Sequence, residues 1–240
     1  MKCVLRIFPS PLVGSHEGHP GSSVGGCLHG LGFEPVHFFI SELSILIFCS
    51  VLSSHPSAQQ AIDPDTAHPN LKLSSDNKEM RVSDKAQEVA DHPGRYNSVL
   101  GALGKTGFQK GRHYWEVTVA GKSCYTVGAA SETAQRQGNV RYHPKNQYWT
   151  LRLQRNGQLQ ALDTRTSVLK VPANPDRIGV LVDFKKGDVS FYDAAARTHL
   201  YTFSGQAFTS QVFPFMSSCE DTEQGSPPIV FNPVASVDWL

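Results

Sequence analysis

The sequence lacks a strong charge of either sign. Its 240 residues include 22 Lys and Arg against 21 Asp and Glu, which leaves a formal net charge of +1. The protein therefore has no overall electric field that would attract nucleic acid or an anionic membrane surface. A charged partner could be attracted only by a local cluster of charged residues. The length is typical of one domain, or of one domain with an appendage.

Cysteine is scarce and scattered. The five cysteines form no CxxC pair and no short repeated spacing, so the sequence predicts neither a disulfide framework nor a zinc site. The simplest interpretation is reduced thiols in a cytoplasmic protein. Cys124 lies inside a strand pattern and is predicted to be a small buried residue. Cys219 precedes Glu220 and Asp221, which disfavour its thiolate, so it is predicted to be unreactive.

Signatures of catalysis are missing as well. His16 and His19 do not form the HExxH pair of zinc peptidases, and no phosphate-binding glycine loop is present. We therefore predict a protein that is not an enzyme, with no catalytic residue, no metal and no cofactor.

Charge is nearly absent from residues 1–59. Residues 9–32 are rich in Gly, Ser, Pro and His without a period of 2 or 3.6, which predicts irregular chain. The apolar stretch 36–52 contains His37 and Glu42 and is barely long enough to cross a bilayer. Two interpretations stay open: a membrane span, or the translated end of an intron, in which case residues 1–59 are an artefact. The second hypothesis rests on the many Phe, Ser, Leu, Pro and Cys residues before Gln60, because their codons are rich in pyrimidines, as the end of an intron is. Sequencing the transcript across the Gln60 codon tests it.

Long helical periods are also absent, and short runs with period 2 take their place from Arg112 onward. Trp149, Leu151 and Leu153 share one face of a predicted strand, and the opposite face is expected to meet solvent. That opposite face consists of Tyr148, Thr150, Arg152 and Gln154. Residues 178–184 and 188–193 predict a hairpin, and a helical turn is possible only within 82–91. Many short strands without long helices predict an all-β protein, an antiparallel β-sandwich.

Several segments resemble one known family. Residues 62–81 and 92–101 are similar to the PRY segment, and 107–119 is similar to the opening of the SPRY domain, with its signature at Trp115, Glu116 and Val117. The family's Leu-Asp-Tyr motif has an altered counterpart at Val182, Asp183 and Phe184. The resemblance implies a bent antiparallel β-sandwich of PRY-SPRY type. It divides the chain into a PRY segment at 60–105, a SPRY domain at 106–234 and a tail at 235–240.

The family implies a protein-binding function. PRY-SPRY domains bind other proteins through loops and a shallow canyon, and they form the C-terminal domain of tripartite-motif ubiquitin ligases and butyrophilins. Carried onto this chain, the resemblance implies these candidate ligand-binding residues: Tyr125, Thr126, Arg152, Gln154, Arg155, Asn156, Glu220 and Asp221. Glu116 and Asp183 are instead predicted to have structural roles, in an ion pair and in a turn.

Three functions remain as alternatives. The first is a protein-protein interaction module with a protein ligand. The second is the substrate-recognition fragment of a tripartite-motif ubiquitin ligase that lacks its RING, B-box and coiled coil. The third is RNA binding through the basic stretch 136–155, helped by Tyr142 and Tyr148, although a solvated face with two loops is the simpler interpretation of that stretch. Its cations are Arg136, Arg141, Lys145, Arg152 and Arg155. A membrane partner is expected only if 36–52 is a true span.

Overall fold

The computed structural model describes residues 60–219, 225–232, 234 and 239–240. The predictions for 1–59, including the apolar stretch 36–52, lie outside the described residues, as do Glu220 and Asp221. Over the described ranges the chain forms thirteen strands and one 3-10 helix, Pro144–Asn146. The strands are β1 (Leu71–Leu73), β2 (Glu79–Val82), β3 (Gly101–Leu103), β4 (Arg112–Thr118), β5 (Tyr125–Ser131), β6 (Tyr148–Leu153), β7 (Leu159–Ala161), β8 (Ser167–Val168), β9 (Arg177–Asp183), β10 (Asp188–Asp193), β11 (Thr198–Phe203), β12 (Val212–Ser218) and β13 (Ile229–Asn232).

The strands form two antiparallel sheets. The first sheet has seven strands in the order β1-β2-β13-β4-β9-β10-β11, and the second has six in the order β3-β12-β5-β6-β7-β8. Strands from the PRY segment extend both sheets, because β1 and β2 pair beside β13 while β3 pairs with β12. The predicted all-β sandwich is confirmed. In the part of the chain that the structure describes, no helix is long and apolar enough to cross a membrane.

One hydrophobic cluster combines side chains from both sheets. Trp115 and Val117 of β4 and Val180 of β9 belong to it, together with Trp149 and Leu151 of β6. All of these side chains are at most 2% exposed, so the predicted inward face of β6 is confirmed, and β4 buries Trp115 and Val117 in the same way. Full burial of such a side chain contributes about 1.5–3 kcal/mol, which makes this cluster the main source of stability.

The hairpin of β9 and β10 is held by the carboxylate of Asp183. Its Oδ1 accepts hydrogen bonds from the backbone N–H groups of Lys185 and Lys186, both at 3.0 Å. Its Oδ2 lies 3.5 Å from Nε of Arg112 on the neighbouring β4. Gly187 closes the turn with φ +71°, and a Cβ there would lie 2.6 Å from the carbonyl oxygen of Gln206. The predicted hairpin and the turn role of Asp183 are confirmed.

Glu116 has two structural partners on the first sheet. Nη1 of Arg177 lies 3.2 Å from its Oε2, and the Tyr114 hydroxyl donates to its Oε1 at 2.9 Å. Glu116 is only 8% exposed, and these two partners balance the negative charge of its buried carboxylate. The pKa of the Tyr114 phenol is raised by its burial and by the adjacent Glu116 charge, so the phenol remains a donor. This is the ion-pair role predicted for Glu116.

The helical turn predicted within 82–91 is wrong. Residues after β2 are irregular, and their backbone groups pair with a distant segment rather than with one another. The N–H of Ser83 donates to the carbonyl of Asn70, and the N–H of Gln87 donates to the carbonyl of Pro69, both at 2.8 Å. These bonds satisfy donors that a helix would have used internally.

The outer face of β6 is not solvated along its whole length, which corrects a second prediction. Tyr148 and Thr150 are 0% exposed. Tyr148 packs in a smaller hydrophobic cluster with Tyr96 and Phe215, and the Tyr142 ring lies against it with ring centres 5.4 Å apart. Tyr96 and Tyr142 come from irregular chain that crosses this face, so the PRY segment and the β5–β6 loop cover what periodicity alone leaves open.

Cys124 and Cys219 form a disulfide, so the interpretation as reduced thiols is wrong for this pair. Their Cα atoms are 5.5 Å apart although the residues are separated by 95 positions. Cys124 immediately precedes β5 and Cys219 immediately follows β12, and Tyr125 pairs with Ser218 at that end of the two strands. Strand register therefore places the two cysteines opposite each other at a distance that a disulfide can span.

Candidate functional site

A pocket of 880 Å³ opens on the outer face of the second sheet. Its lining combines the ends of β5, β6 and β12 with three segments of the PRY region, 68–70, 82–84 and 98–100. We call it the Arg152 pocket. Its volume lies within the range of ordinary ligand pockets.

The floor of the Arg152 pocket is a row of polar residues on adjacent strands. Ser217 of β12 pairs with Thr126 of β5, and Thr126 pairs with Arg152 of β6. Directly opposed residues share one face of a sheet, so these three side chains project from the same surface. The floor therefore presents two hydroxyl groups beside one guanidinium.

Two contacts orient the Arg152 side chain. Its Nε donates to Oγ1 of Thr126 at 3.3 Å, and its guanidinium carbon lies 5.4 Å from the centre of the Tyr142 ring. The second distance is within the range of a cation–π interaction. A guanidinium held at one edge and stacked on one face keeps its terminal amino groups in a limited range of positions.

Tyr142 connects the cation to the floor of the pocket. Its hydroxyl donates to Oγ of Ser217 at 3.3 Å. Burial raises the pKa of Tyr142, although the nearby Arg152 charge opposes the shift. The phenol is therefore neutral at physiological pH and acts as a donor, and its ring supplies the surface under Arg152.

The PRY segments provide the wall of the pocket. Nδ1 of His68 accepts a hydrogen bond from the backbone N–H of Asn70 at 3.0 Å, and burial lowers the pKa of His68. Because its pKa is lowered, His68 is mainly neutral near pH 7. Asp84 is an exposed acidic residue of the same lining. Oγ of Ser218 is buried there and has no hydrogen-bond partner among the described residues.

The structure distributes the predicted ligand residues unequally. Thr126, Arg152, Gln154 and Arg155 line the Arg152 pocket. Asn156 is exposed in the following turn, where its Oδ1 accepts from the N–H of Gln158 at 3.0 Å, and it is not part of the lining. Glu220 and Asp221 are outside the described residues.

Tyr125 is removed from the candidate ligand contacts. Its side chain is 1% exposed and belongs to the hydrophobic cluster between the sheets. The physical reason is strand alternation: Thr126 points to the outer face, so its neighbour Tyr125 points inward. Tyr125 therefore supports the fold beneath the site.

The sequence reasoning missed the PRY residues of the pocket, including His68, Asn70 and Ser98. No local pattern marks them, since they lie in irregular chain or at its ends. The signal that could have found them is the long-range pairing of the PRY strands with the SPRY strands, which brings residues near 70, 83 and 99 to one surface.

The basic stretch 136–155 does not act as a unit. Arg136 is bound to backbone carbonyls, since its Nη2 donates to Glu132 at 2.7 Å. Arg141 and Lys145 are exposed and do not line the pocket, whereas Arg152 and Arg155 do. Among the residues whose structure is described, no group of three His, Cys, Asp or Glu side chains is arranged to hold a metal ion.

Comparison with known proteins defines the family. The SPRY-associated domain model, PRY, matches residues 61–108, and the SPRY domain model matches residues 112–226. The chain therefore belongs to the PRY-SPRY family, whose domains are protein-interaction modules.

Similar proteins include ligases and butyrophilins. The chain is 40% identical over 170 residues to the E3 ubiquitin-protein ligase TRIM69 of Rattus norvegicus, covering 71% of this chain and 34% of that protein. It is 41% identical over 159 residues to butyrophilin subfamily 2 member A2 of Homo sapiens, covering 66% of this chain and 30% of that protein. The crystal structure of the TRIM65 PSpry domain superposes with a TM-score of 0.61 at 21% identity, covering 73% of this chain and 90% of that one, which shows the shared fold.

The match is confined to one part of the relatives. The chain spans about a third of the length of these two curated proteins. What it has in common with them is the binding domain, which is not a catalytic domain.

Proposed function

We propose that this PRY-SPRY domain binds a protein ligand through the Arg152 pocket. The observation that carries the proposal is the oriented Arg152 on a polar floor, enclosed by segments that come from both the PRY and the SPRY regions. A rigid sandwich that holds loops around one pocket is a common arrangement for binding, because the loops can vary while the scaffold stays ordered.

The mechanism is complementarity rather than chemistry. Thr126 and Ser217 offer hydroxyl groups, Gln154 offers an amide and Arg152 offers a cation, all in one lining. Convergent polar groups of this kind orient a ligand, and apolar neighbours such as Val82, Val99 and Leu100 supply contact area.

A site-specific photo-crosslinker tests the location. Benzoylphenylalanine is placed at Gln154 in the pocket lining or, as the matched control, at Ala196 in the exposed β10–β11 turn. The full chain is irradiated in cells, and crosslinked proteins are identified by mass spectrometry. We expect a protein crosslinked from position 154 and not from 196. Equal crosslinking from both positions, or crosslinking from 196 alone, would contradict the proposal.

A second candidate function is substrate recognition within a longer tripartite-motif ubiquitin ligase. The similarity to TRIM69, of which this chain covers 34%, supports it. Ligase activity would then require a RING region encoded upstream in the same message. Full-length transcript sequencing decides between the two, because messages that all lack a RING-encoding exon would remove the ligase.

A cytoplasmic location is also proposed, because the five cysteines are scattered without the spacing of a disulfide framework. Structural disulfides are rare in that compartment, so the Cys124–Cys219 bond makes the proposal sharply testable. Alkylation of free thiols in intact cells, followed by mass spectrometry of the peptides containing Cys124 and Cys219, measures the fraction of the pair that is oxidised. Fluorescence microscopy of the tagged chain measures its compartment in the same cells. A fully oxidised pair in a secretory compartment would overturn the proposed location.

A further inference from the structure

Arg152 differs from the other half-buried arginines of the sandwich. Nη1 of Arg177 lies 3.2 Å from Oε2 of Glu116, and Arg136 donates from Nη1 and Nη2 to the backbone carbonyls of Gly94 and Glu132, so the terminal amino groups of both have partners within the fold. Arg152 is also half-buried but forms no ion pair with any carboxylate of the described ranges. Partly burying a cation without an opposite charge is unfavourable, so within the described residues the charge of Arg152 is left without a counterpart.

The free edge of the guanidinium faces a pocket. Nε donates to Oγ1 of Thr126 and the guanidinium carbon lies 5.4 Å from the centre of the Tyr142 ring, but Nη1 and Nη2 donate no hydrogen bond to a described residue. Two parallel N–H donors on a planar cation match the two oxygens of a carboxylate. The contacts to Thr126 and Tyr142 limit the rotation of this pair, which lowers the entropic cost of binding.

We propose that the Arg152 pocket binds an aspartate or glutamate side chain of its protein ligand, with the carboxylate on Nη1 and Nη2 of Arg152. The inference rests on the proposed function and specifies its ligand. Arg155 is a second arginine of the same lining, and Asp84 is an exposed acid of it. The hydroxyl of Ser218, another residue of the lining, is buried and has no hydrogen-bond partner among the described residues.

The geometry favours a peptide over RNA. Tyr148 is fully buried and the face of Tyr142 is stacked by Arg152, so the two tyrosines of the basic stretch do not offer open platforms to bases. A phosphate backbone also needs several cations in a row, whereas two arginines line this pocket and Arg136 is bound to backbone carbonyls.

A random peptide library displayed on phage supplies the first test. The full chain is used as bait in three forms: unchanged, Arg152→Gln, and the control Lys145→Gln. Lys145 is exposed in the 3-10 helix that precedes β6 and does not line the pocket, so the control removes the same charge elsewhere. We expect peptides with an enriched Asp or Glu at one position for the unchanged chain and for Lys145→Gln, and loss of that enrichment for Arg152→Gln.

A double-mutant cycle with the best selected peptide then measures the contact by fluorescence anisotropy. Changing the peptide's acid to its amide, or Arg152 to Gln, should each weaken binding about tenfold or more, and the two changes together should add little. Arg152→Lys keeps the positive charge but loses the planar pair of donors, so its peptide affinity should lie between that of the unchanged chain and that of Arg152→Gln. Thermal unfolding of each variant confirms that the fold is retained.

The possible results distinguish a failure of the carboxylate inference from a failure of the proposed protein-binding function. Selected peptides that bind at the pocket without an acid, or whose acid is insensitive to Arg152→Gln, overturn the carboxylate inference and leave the proposed function intact. A phosphoserine in place of the acid that binds more than about tenfold tighter overturns it in favour of phosphate. If no peptide binds and a labelled uridine oligonucleotide binds with steep salt dependence, both the inference and the proposed function are wrong.

Discussion

The inner and outer faces of the β5–β6 pair differ in what covers them. On the inner face Val127, Trp149 and Leu151 are buried against the opposite sheet. On the outer face one end is closed by an aromatic cluster around Tyr148, and the other end is open at Arg152. The same alternation of residues therefore produces a core on one side, and both a smaller hydrophobic cluster and the Arg152 pocket on the other.

The difference separates stability from function. Inner-face side chains are surrounded by the sandwich and determine whether it folds. Outer-face side chains depend on irregular chain, residues 95–100 and 134–142, for their cover, and where that cover stops the polar groups line the Arg152 pocket. Substitutions along β6 and at the pocket edge can break or sharpen this contrast.

The largest effect is expected on the inner face. Trp149→Ala removes a side chain that is 1% exposed, packs against Phe208 and donates from Nε1 to Gln206 at 2.9 Å. The free energy of unfolding should fall by about 3–5 kcal/mol, because a large cavity is left in the core. Urea unfolding followed by intrinsic fluorescence measures it. A loss below about 1 kcal/mol would mean that the inner face is not the main core.

The disulfide at the open end should have the next largest effect. Cys124→Ser with Cys219→Ser frees a loop of 95 residues and should lower the free energy of unfolding by about 2–5 kcal/mol. Reductant should destabilise the unchanged chain by a similar amount and leave the double variant unaffected. If reductant has no effect on the unchanged chain, the bond does not form in solution.

The closed end of the outer face should be less sensitive. Tyr148→Phe removes a hydroxyl that donates to the carbonyl of Gln135 at 2.7 Å and contacts the Tyr96 hydroxyl at 3.0 Å. The expected loss is about 1–3 kcal/mol, because Tyr96 and the Gln135 carbonyl lose a partner in a buried setting. Tyr142→Phe is the control, since its single bond to Ser217 is longer at 3.3 Å and should matter less. Equal losses would show that the two ends are covered alike.

The open end should affect stability least. Arg152→Gln loses one hydrogen bond and one cation–π contact, so the free energy of unfolding should change by about 1 kcal/mol or less. Thermal unfolding of Arg152→Gln, measured in parallel with Trp149→Ala, gives the loss of stability for each variant. A loss as large as that of Trp149→Ala would make Arg152 a structural residue and remove the contrast between the faces.

Much of the fold could be predicted because its signals are local. The alternation in β6 predicts that Trp149 and Leu151 point inward, and the two short runs 178–184 and 188–193 predict the β9–β10 hairpin. The site was predicted in part: Thr126, Arg152, Gln154 and Arg155 line the pocket, whereas Tyr125 lies beneath it. The failures at Tyr148 and at residues 82–91 have one cause, since distant chain satisfies or covers groups that a local pattern assigns to water or to a helix.

Sequence by itself determined the class of protein, its family and the inner face of its sheets. A period of two is imposed by the strand backbone and requires no knowledge of the rest of the chain. Only the tertiary structure decided that Cys124 meets Cys219, that Tyr148 is buried, and that Arg152 stands without an acidic partner among the described residues. These facts depend on the register between β5 and β12 and on the path of the PRY segment, which are set by pairings across long sequence distances.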